Sequence, residues 1–203
     1  MSTGERMKKN LLGNTGINVS EVGFGVLTVG KTQLKLSVDE GASVLRYALE
    51  RGINFLDTAE YYETYPYIRK ALKGTSFEPV IASKSLGLSY RSMANAIEEA
   101  RIALDRDFID IFLLQAAKSK DLVRAIGVST HHVDVVEKVR EIKEMDVVFP
   151  LINFRGLGIR KGPGFGTREE MEASIKKAAD AGKGVFVMKV FGGGNLTGHY
   201  LEA

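Results

Sequence analysis

Two stretches of this 203-residue chain follow one plan, and that plan limits the fold more than any other feature. Ser37-Val38-Asp39-Glu40 reads as a capping box, Val44, Leu45, Ala48 and Leu49 recur on one helical face, Gly52 ends the helix, and Ile53-Asn54-Phe55-Leu56 follows as an apolar strand. Thr167-Arg168-Glu169-Glu170 repeats the box, with Met171, Ile175 and Ala178 as the stripe, Gly182 as the stop and Val185-Phe186-Val187-Met188 as the strand. A helix that stops at glycine and runs into a buried strand is one repeat of an α/β fold.

Five more apolar runs, at residues 22–29, 80–83, 109–114, 123–128 and 147–152, are too continuous for strands wetted on one face. With the two above they make seven candidate parallel strands. Residues 89–104, with Met93, Ile97, Ala100 and Leu104 on one face, and residues 133–142 read as covering helices. Such alternation predicts a parallel sheet wrapped by helices, either a closed barrel or a doubly wound open sheet. No Gly-x-Gly-x-x-Gly fingerprint follows a first strand, so a Rossmann dinucleotide site is unsupported. Leu11-Leu12-Gly13-Asn14-Thr15-Gly16-Ile17-Asn18-Val19 predicts a small hairpin over residues 8–20.

Residues 1–203 are expected to form one domain, since 44% apolar residues can bury one core. Two places break the plan. Only seven residues separate Gln115 from Val123, fewer than the ~10 to 12 that a parallel crossover needs, so a fourth helix is missing. An eighth strand with its helices is missing after the turn at Gly192-Gly193-Gly194. The expectation is a partial record of a longer protein.

Zero cysteines exclude disulfides, thiolate zinc and iron-sulfur ligation within this chain. The start lacks the apolar stretch of a secretory signal, and no run approaches the ~20 apolar residues of a membrane span, so a cytoplasmic location and no membrane partner are expected. The net charge of +3 arises from 28 basic and 25 acidic residues scattered along the chain, without the basic stripe that nucleic acid binding needs. His131 and His132 have no third ligand at matching reach, and no metal site is expected.

Asp57, Lys84 and Gln115 end the second, third and fourth candidate strands, and Tyr62 lies about one helical turn beyond Asp57. An acid, a phenol and an amine gathered at neighbouring strand ends suggest an active site. Two other readings of these residues compete. Asp57-Thr58-Ala59-Glu60 also fits a capped helix start, and Tyr62 is one of four tyrosines among residues 61–67, with Tyr61 the choice that a register error would make.

The pattern Asp57-Thr58-Ala59-Glu60-Tyr61-Tyr62, followed by the strand Val80-Ile81-Ala82-Ser83 that ends in Lys84, resembles the aldo-keto reductase family. The resemblance runs from the Leu11 hairpin to Leu196. It implies a (β/α)8 TIM barrel, seen here in part, with the hairpin closing its bottom. It also implies NAD(P)H-dependent reduction of an aldehyde or ketone. On that reading Tyr62 is the proton donor, Lys84 lowers its pKa by stabilising the phenolate, and Asp57 keeps Lys84 charged and in place.

Gln115 departs from the family, which usually has a histidine there. Its amide can donate a hydrogen bond to a carbonyl but carries no proton to give. An alternative function therefore stays open, a non-catalytic NADPH-binding or regulatory module on the same fold. A Schiff-base lyase with Lys84 as nucleophile is a third, disfavoured because Asp57 would keep the lysine charged.

The same resemblance assigns cofactor contacts to Gly25, Val26 and Leu27 after the first strand, to Ser129 and Thr130 after the fifth, and to Asn153 after the sixth. Thr130 stands where the family usually has asparagine, and Phe149 where glutamine is common. The turn Lys189-Val190-Phe191-Gly192-Gly193-Gly194-Asn195-Leu196 fits a loop that offers backbone N–H groups to a pyrophosphate. NADPH is expected ahead of NADH, and the partner is a small carbonyl compound. The wording of residues 125–131 and 188–196 looks most like a prokaryotic subgroup whose members often carry a ferredoxin-like tail, which this sequence lacks.

Overall fold

The computed structural model describes residues 7–87, 89–113 and 122–199. They pack as two compact units, one made of residues 7–11 with Ile17–Ala125 and one made of Leu12–Gly16 with the segment from Ile126 onward. The boundary falls inside the strand Val123–Thr130.

In the first unit, β1 (Lys9–Leu11) and β2 (Asn18–Ser20) pair antiparallel, as the hairpin reading predicts. Four strands then run parallel and in chain order: β3 (Phe24–Gly25), β4 (Phe55–Asp57), β5 (Val80–Lys84) and β6 (Ile109–Leu113). Between them lie the helices α1 (Val38–Glu50), α2 (Tyr65–Leu72) and α3 (Tyr90–Leu104). β6 is buried along its whole length, which is why its sequence does not alternate. Leu45, Leu56, Ile68, Ile81, Ile111 and Phe112 have no exposed surface and form the core between helices and sheet.

One charge sits in that core. Asp110 on β6 accepts the Ile81 N–H at 3.0 Å and pairs with Arg106 and Arg124 at 3.3 and 2.8 Å, so its burial is compensated by a hydrogen bond and two cations.

The second unit holds β7 (Val123–Thr130) from Ile126 onward, β8 (Val147–Pro150) and β11 (Gly184–Val185), again parallel. The helices α4 (Val133–Val139) and α5 (Arg168–Asp180) cover them, and β9 (Arg160–Lys161) and β10 (Gly164–Phe165) form a small hairpin ahead of α5. Val136, Val148, Ile159, Met171 and Ala178 are its fully buried centre. The turn 12–16 docks here: Asn14 donates its N–H to the Gly182 carbonyl at 2.9 Å, and a Cβ on Gly182, whose φ is +80°, would meet the Asn14 amide. Glycine at the end of α5 is required by that close approach as well as by its backbone angle.

The capping boxes predicted at Ser37/Glu40 and Thr167/Glu170 both form. Among the described residues seven parallel strands appear where seven were expected, some of them shorter. The run 22–29 is strand only at Phe24–Gly25, because Val26–Val29 closes into a 3-10 turn whose end is tied by the Gly30 N–H to Leu27. The run 185–188 keeps ladder pairing at Gly184–Val185 and a further bridge between Met188 and Leu151. The helix expected over 133–142 gives way after Val139 to i→i+3 turns. The short connection after Gln115 lies outside the described residues.

Candidate active site

The register of the first unit aligns the polar strand ends. Gly25 pairs with Asp57, Asp57 with Ala82, and Lys84 stands two residues further along β5. The Lys84 Nζ donates to Asp57 Oδ1 at 2.7 Å and to the Thr58 carbonyl at 2.9 Å. It also lies 4.9 Å from the centre of the Tyr62 ring, within cation–π range. The three groups expected to act together are therefore in contact around one ammonium.

Asp57 and Lys84 are mostly buried, at 19% and 17% side-chain exposure. Burial pushes the Asp57 carboxyl above its ordinary range, and the charge and hydrogen bond of Lys84 oppose that shift. The competing capped-helix reading of Asp57 does not hold. The 3-10 turn Glu60–Tyr62 has Ala59 at its N-cap, without a side-chain cap, and the Asp57 carboxylate turns to Lys84 instead.

The four tyrosines separate by environment. Tyr61 is 65% exposed and faces solvent, whereas Tyr62 is half-buried against Lys84. Tyr65 is buried with its hydroxyl 2.7 Å from Ser83 Oγ, and burial drives its pKa up to about 12. Tyr67 donates its hydroxyl to the Leu36 carbonyl. Three groups that sequence reading passed over belong to this neighbourhood: Thr58, whose carbonyl holds Lys84, Thr64, whose hydroxyl meets that of Thr58 at 2.7 Å, and Ser83 beneath Lys84. Thr58 stood in the Asp57-Thr58-Ala59 pattern without a role and Ser83 beside Lys84, whereas nothing pointed to Thr64. Gln115 lies outside the described residues.

Of the expected cofactor contacts in the first unit, Gly25 is exposed, and a Cβ built on it meets nothing, so there is open space beside Asp57. Val26 is fully buried and Leu27 partly so.

In the second unit, Ser129 pairs with Phe149 across β7 and β8. Thr130 is buried, and its hydroxyl accepts the His132 N–H at the start of α4. Asn153 clamps its own loop, donating to the Leu157 carbonyl at 3.0 Å and accepting the Leu157 N–H at 2.9 Å. Phe149 stacks on Phe186, with centroids 4.3 Å apart.

The glycine turn is less bare than its sequence suggests. The Gly192 N–H donates to Lys189 and the Gly194 N–H to Phe191, while Asn195 donates back to Gly192 and Leu196 is buried. Lys189 approaches His131 at 3.4 Å, and burial together with Lys189, His132 and Arg160 lowers the His131 pKa. That cationic corner suits an anionic group. Among the described residues no three His, Cys, Asp or Glu side chains could hold a metal ion.

Comparison with known proteins bears on the family and the fold. The profile of the Aldo/keto reductase family matches residues 21–121. An uncharacterised oxidoreductase of Bacillus subtilis is 22% identical over 90% of this chain and 68% of its own length. The other curated relatives are matched over 34% to 49% of theirs. Among solved structures, a putative aldo-keto reductase from Pseudomonas aeruginosa superposes with a TM-score of 0.71 at 23% identity, covering 88% of this chain and 77% of that one. An aldo-keto reductase of Bombyx mori in complex with NADP gives 0.69 at 19% identity, over 91% of this chain and 67% of that one. At such identities the structural likeness speaks for the fold alone. About half of the chain thus matches the aldo/keto reductase family, and its parallel α/β fold is of that family's type.

Proposed function

We propose that this chain is the catalytic part of an NAD(P)H-dependent oxidoreductase that reduces a small aldehyde or ketone to an alcohol. The observation that carries the reading is the Lys84 ammonium held between the Asp57 carboxylate and the Tyr62 ring.

Tyr62 gives its hydroxyl proton to the carbonyl oxygen, so that an alcohol leaves rather than an alkoxide. The Lys84 ammonium beside the ring faces the negative charge that then develops on the oxygen, and Asp57 keeps that ammonium oriented. A nicotinamide cofactor, when bound, supplies the hydride that reaches the carbonyl carbon. Each unit taken by itself has residues that suit part of such a group: in the first, open space at Gly25 beside Asp57; in the second, a corner where Lys189 and Arg160 lie near His131 and suit an anionic group. Val26, Leu27, Ser129, Thr130, Asn153 and the segment Gly192, Gly193, Gly194, Asn195 and Leu196 complete the proposed contacts. The reading takes NADPH ahead of NADH on the resemblance to the family, and the fluorescence titration is run with both. The same reading has the protein in the cytoplasm with a small-molecule partner, and no described helix is long and apolar enough to cross a membrane.

A titration of nicotinamide fluorescence, followed by NADPH oxidation assays on a panel of aldehydes and ketones, tests the proposal. Binding with turnover supports it. Tight binding without turnover favours the regulatory module that Gln115 suggests, and absence of binding removes both readings.

A further inference from the structure

We infer that Thr58 and Thr64 are positioning residues: their hydroxyl pair closes the 58–64 loop so that the Tyr62 ring stays against Lys84. The inference rests on the acid role proposed above for Tyr62.

The two Oγ1 atoms lie 2.7 Å apart, and neither residue has exposed surface. Thr64 occupies the N-cap of α2, where a threonine hydroxyl ordinarily accepts an N–H from the first helical turn. Ser37, Ser89 and Thr167 do so at their helices. Thr64 caps nothing. Its hydroxyl points back across the loop to Thr58, and its backbone departs from the extended conformation of the other three, with φ −104° and ψ 1°.

Thr58 is anchored on both sides of its peptide. Its N–H donates to the Ala82 carbonyl at 2.9 Å, and its own carbonyl accepts from Lys84 Nζ at 2.9 Å. The hydroxyl contact therefore ties the start of α2 to the residue that holds the lysine. Between these anchors the chain makes one tight turn, with the Tyr62 N–H bonded to Ala59, and leaves it through Glu63 in the left-handed region at φ 54°. A non-glycine residue resists that angle, so the loop needs an outside constraint. The Lys31–Glu63 ion pair is too exposed, at 71% and 63%, to be a firm one. The buried hydroxyl pair is better protected from water, and the methyl of Thr64 is braced by Gly30, where a Cβ would approach it to 2.8 Å. Because Tyr62 sits midway in the loop, release of either end moves its ring relative to Lys84.

The test uses the whole chain carrying Thr64→Val, which keeps the shape and removes the hydroxyl, and Thr64→Ser, which keeps the hydroxyl. Turnover and KM are measured with NADPH and the best carbonyl from the panel, and hydrogen exchange over residues 59–63 is followed on cofactor-free protein. The expected result for Thr64→Val is a kcat about tenfold lower, an unchanged KM for NADPH, and exchange at least about tenfold faster in that segment, with both effects reversed in Thr64→Ser. Wild-type kcat with wild-type exchange would overturn the inference, as would a change in only one of the two readouts, or equal damage from Val and Ser. Should the wild-type protein reduce no carbonyl, the acid reading of Tyr62 fails separately, and exchange alone decides the hydroxyl pair: faster exchange in Thr64→Val supports it and unchanged exchange overturns it. If Thr64→Val does not fold, Thr58→Val takes its place under the same criteria.

Discussion

Lys84 reaches Asp57 with a 2.7 Å hydrogen bond although 26 residues lie between them, because parallel pairing of β4 with β5 brings both strand ends to the same level. Each partner offsets part of the cost of burying the other's charge. What surrounds the pair decides both chemistry and stability.

Replacing Tyr62 by phenylalanine removes the proposed proton donor while keeping the ring against Lys84. We expect kcat for carbonyl reduction to fall by about 10²- to 10⁴-fold, with NADPH affinity within about twofold of wild type. Steady-state kinetics together with the fluorescence titration check this, and unchanged turnover would remove Tyr62 from the mechanism.

Lys84→Met leaves the Asp57 carboxyl buried without its cation. The loss at neutral pH is expected to be about 3–5 kcal/mol. Asp57 already sits above its ordinary pKa, so the folded state holds its proton more tightly than the unfolded chain, and stability falls as pH rises through the interval between the two values. The variant lacks the opposing ammonium, which widens that interval upward. Thermal melts should therefore show Lys84→Met recovering part of its stability as pH is lowered toward 5, and the double variant with Asp57→Asn losing that pH dependence.

Tyr65 gives a second pH signature at the alkaline end. Its folded pKa of about 12 exceeds the unfolded value of 10.0, so the protein keeps a proton that the unfolded chain releases. Stability is intact below pH 10 and declines between about 10 and 12, by at most roughly 2–3 kcal/mol from this group. Tyr65→Phe should flatten that decline in denaturant titrations, at a cost near neutral pH from leaving Ser83 Oγ without its partner.

Gly127 on β7 faces β8 so closely that an added Cβ would lie 2.3 Å from the Val147 carbonyl oxygen. Backbone cannot swing aside as a side chain can. Gly127→Ala should therefore destabilise by at least about 1–3 kcal/mol, read as a lower midpoint in urea with little change in slope.

Much of this architecture was legible from local pattern. Capping boxes at Ser37 and Thr167, glycine stops at Gly52 and Gly182, and unbroken apolar runs located helices and strands, because each is set by neighbours within a few residues. Placement of Asp57 and Lys84 at strand ends followed from the same runs. Strand lengths were less legible, since the turn at Val26–Val29 is as apolar as a strand and only pairing with β4 shows where β3 stops.

The sequence by itself thus determined the parallel α/β plan and the identity of the acid and the amine at its strand ends. Tertiary structure decided which of four tyrosines meets the lysine, that Thr64 turns to Thr58 instead of capping α2, and that Asn153 and the N–H groups of Gly192 and Gly194 bond within their own loops. The division has a physical cause. Hydrophobic period and caps are written into a few consecutive residues, whereas a side chain's partner depends on which distant backbone the packed sheet and helices bring within about 3 Å of it.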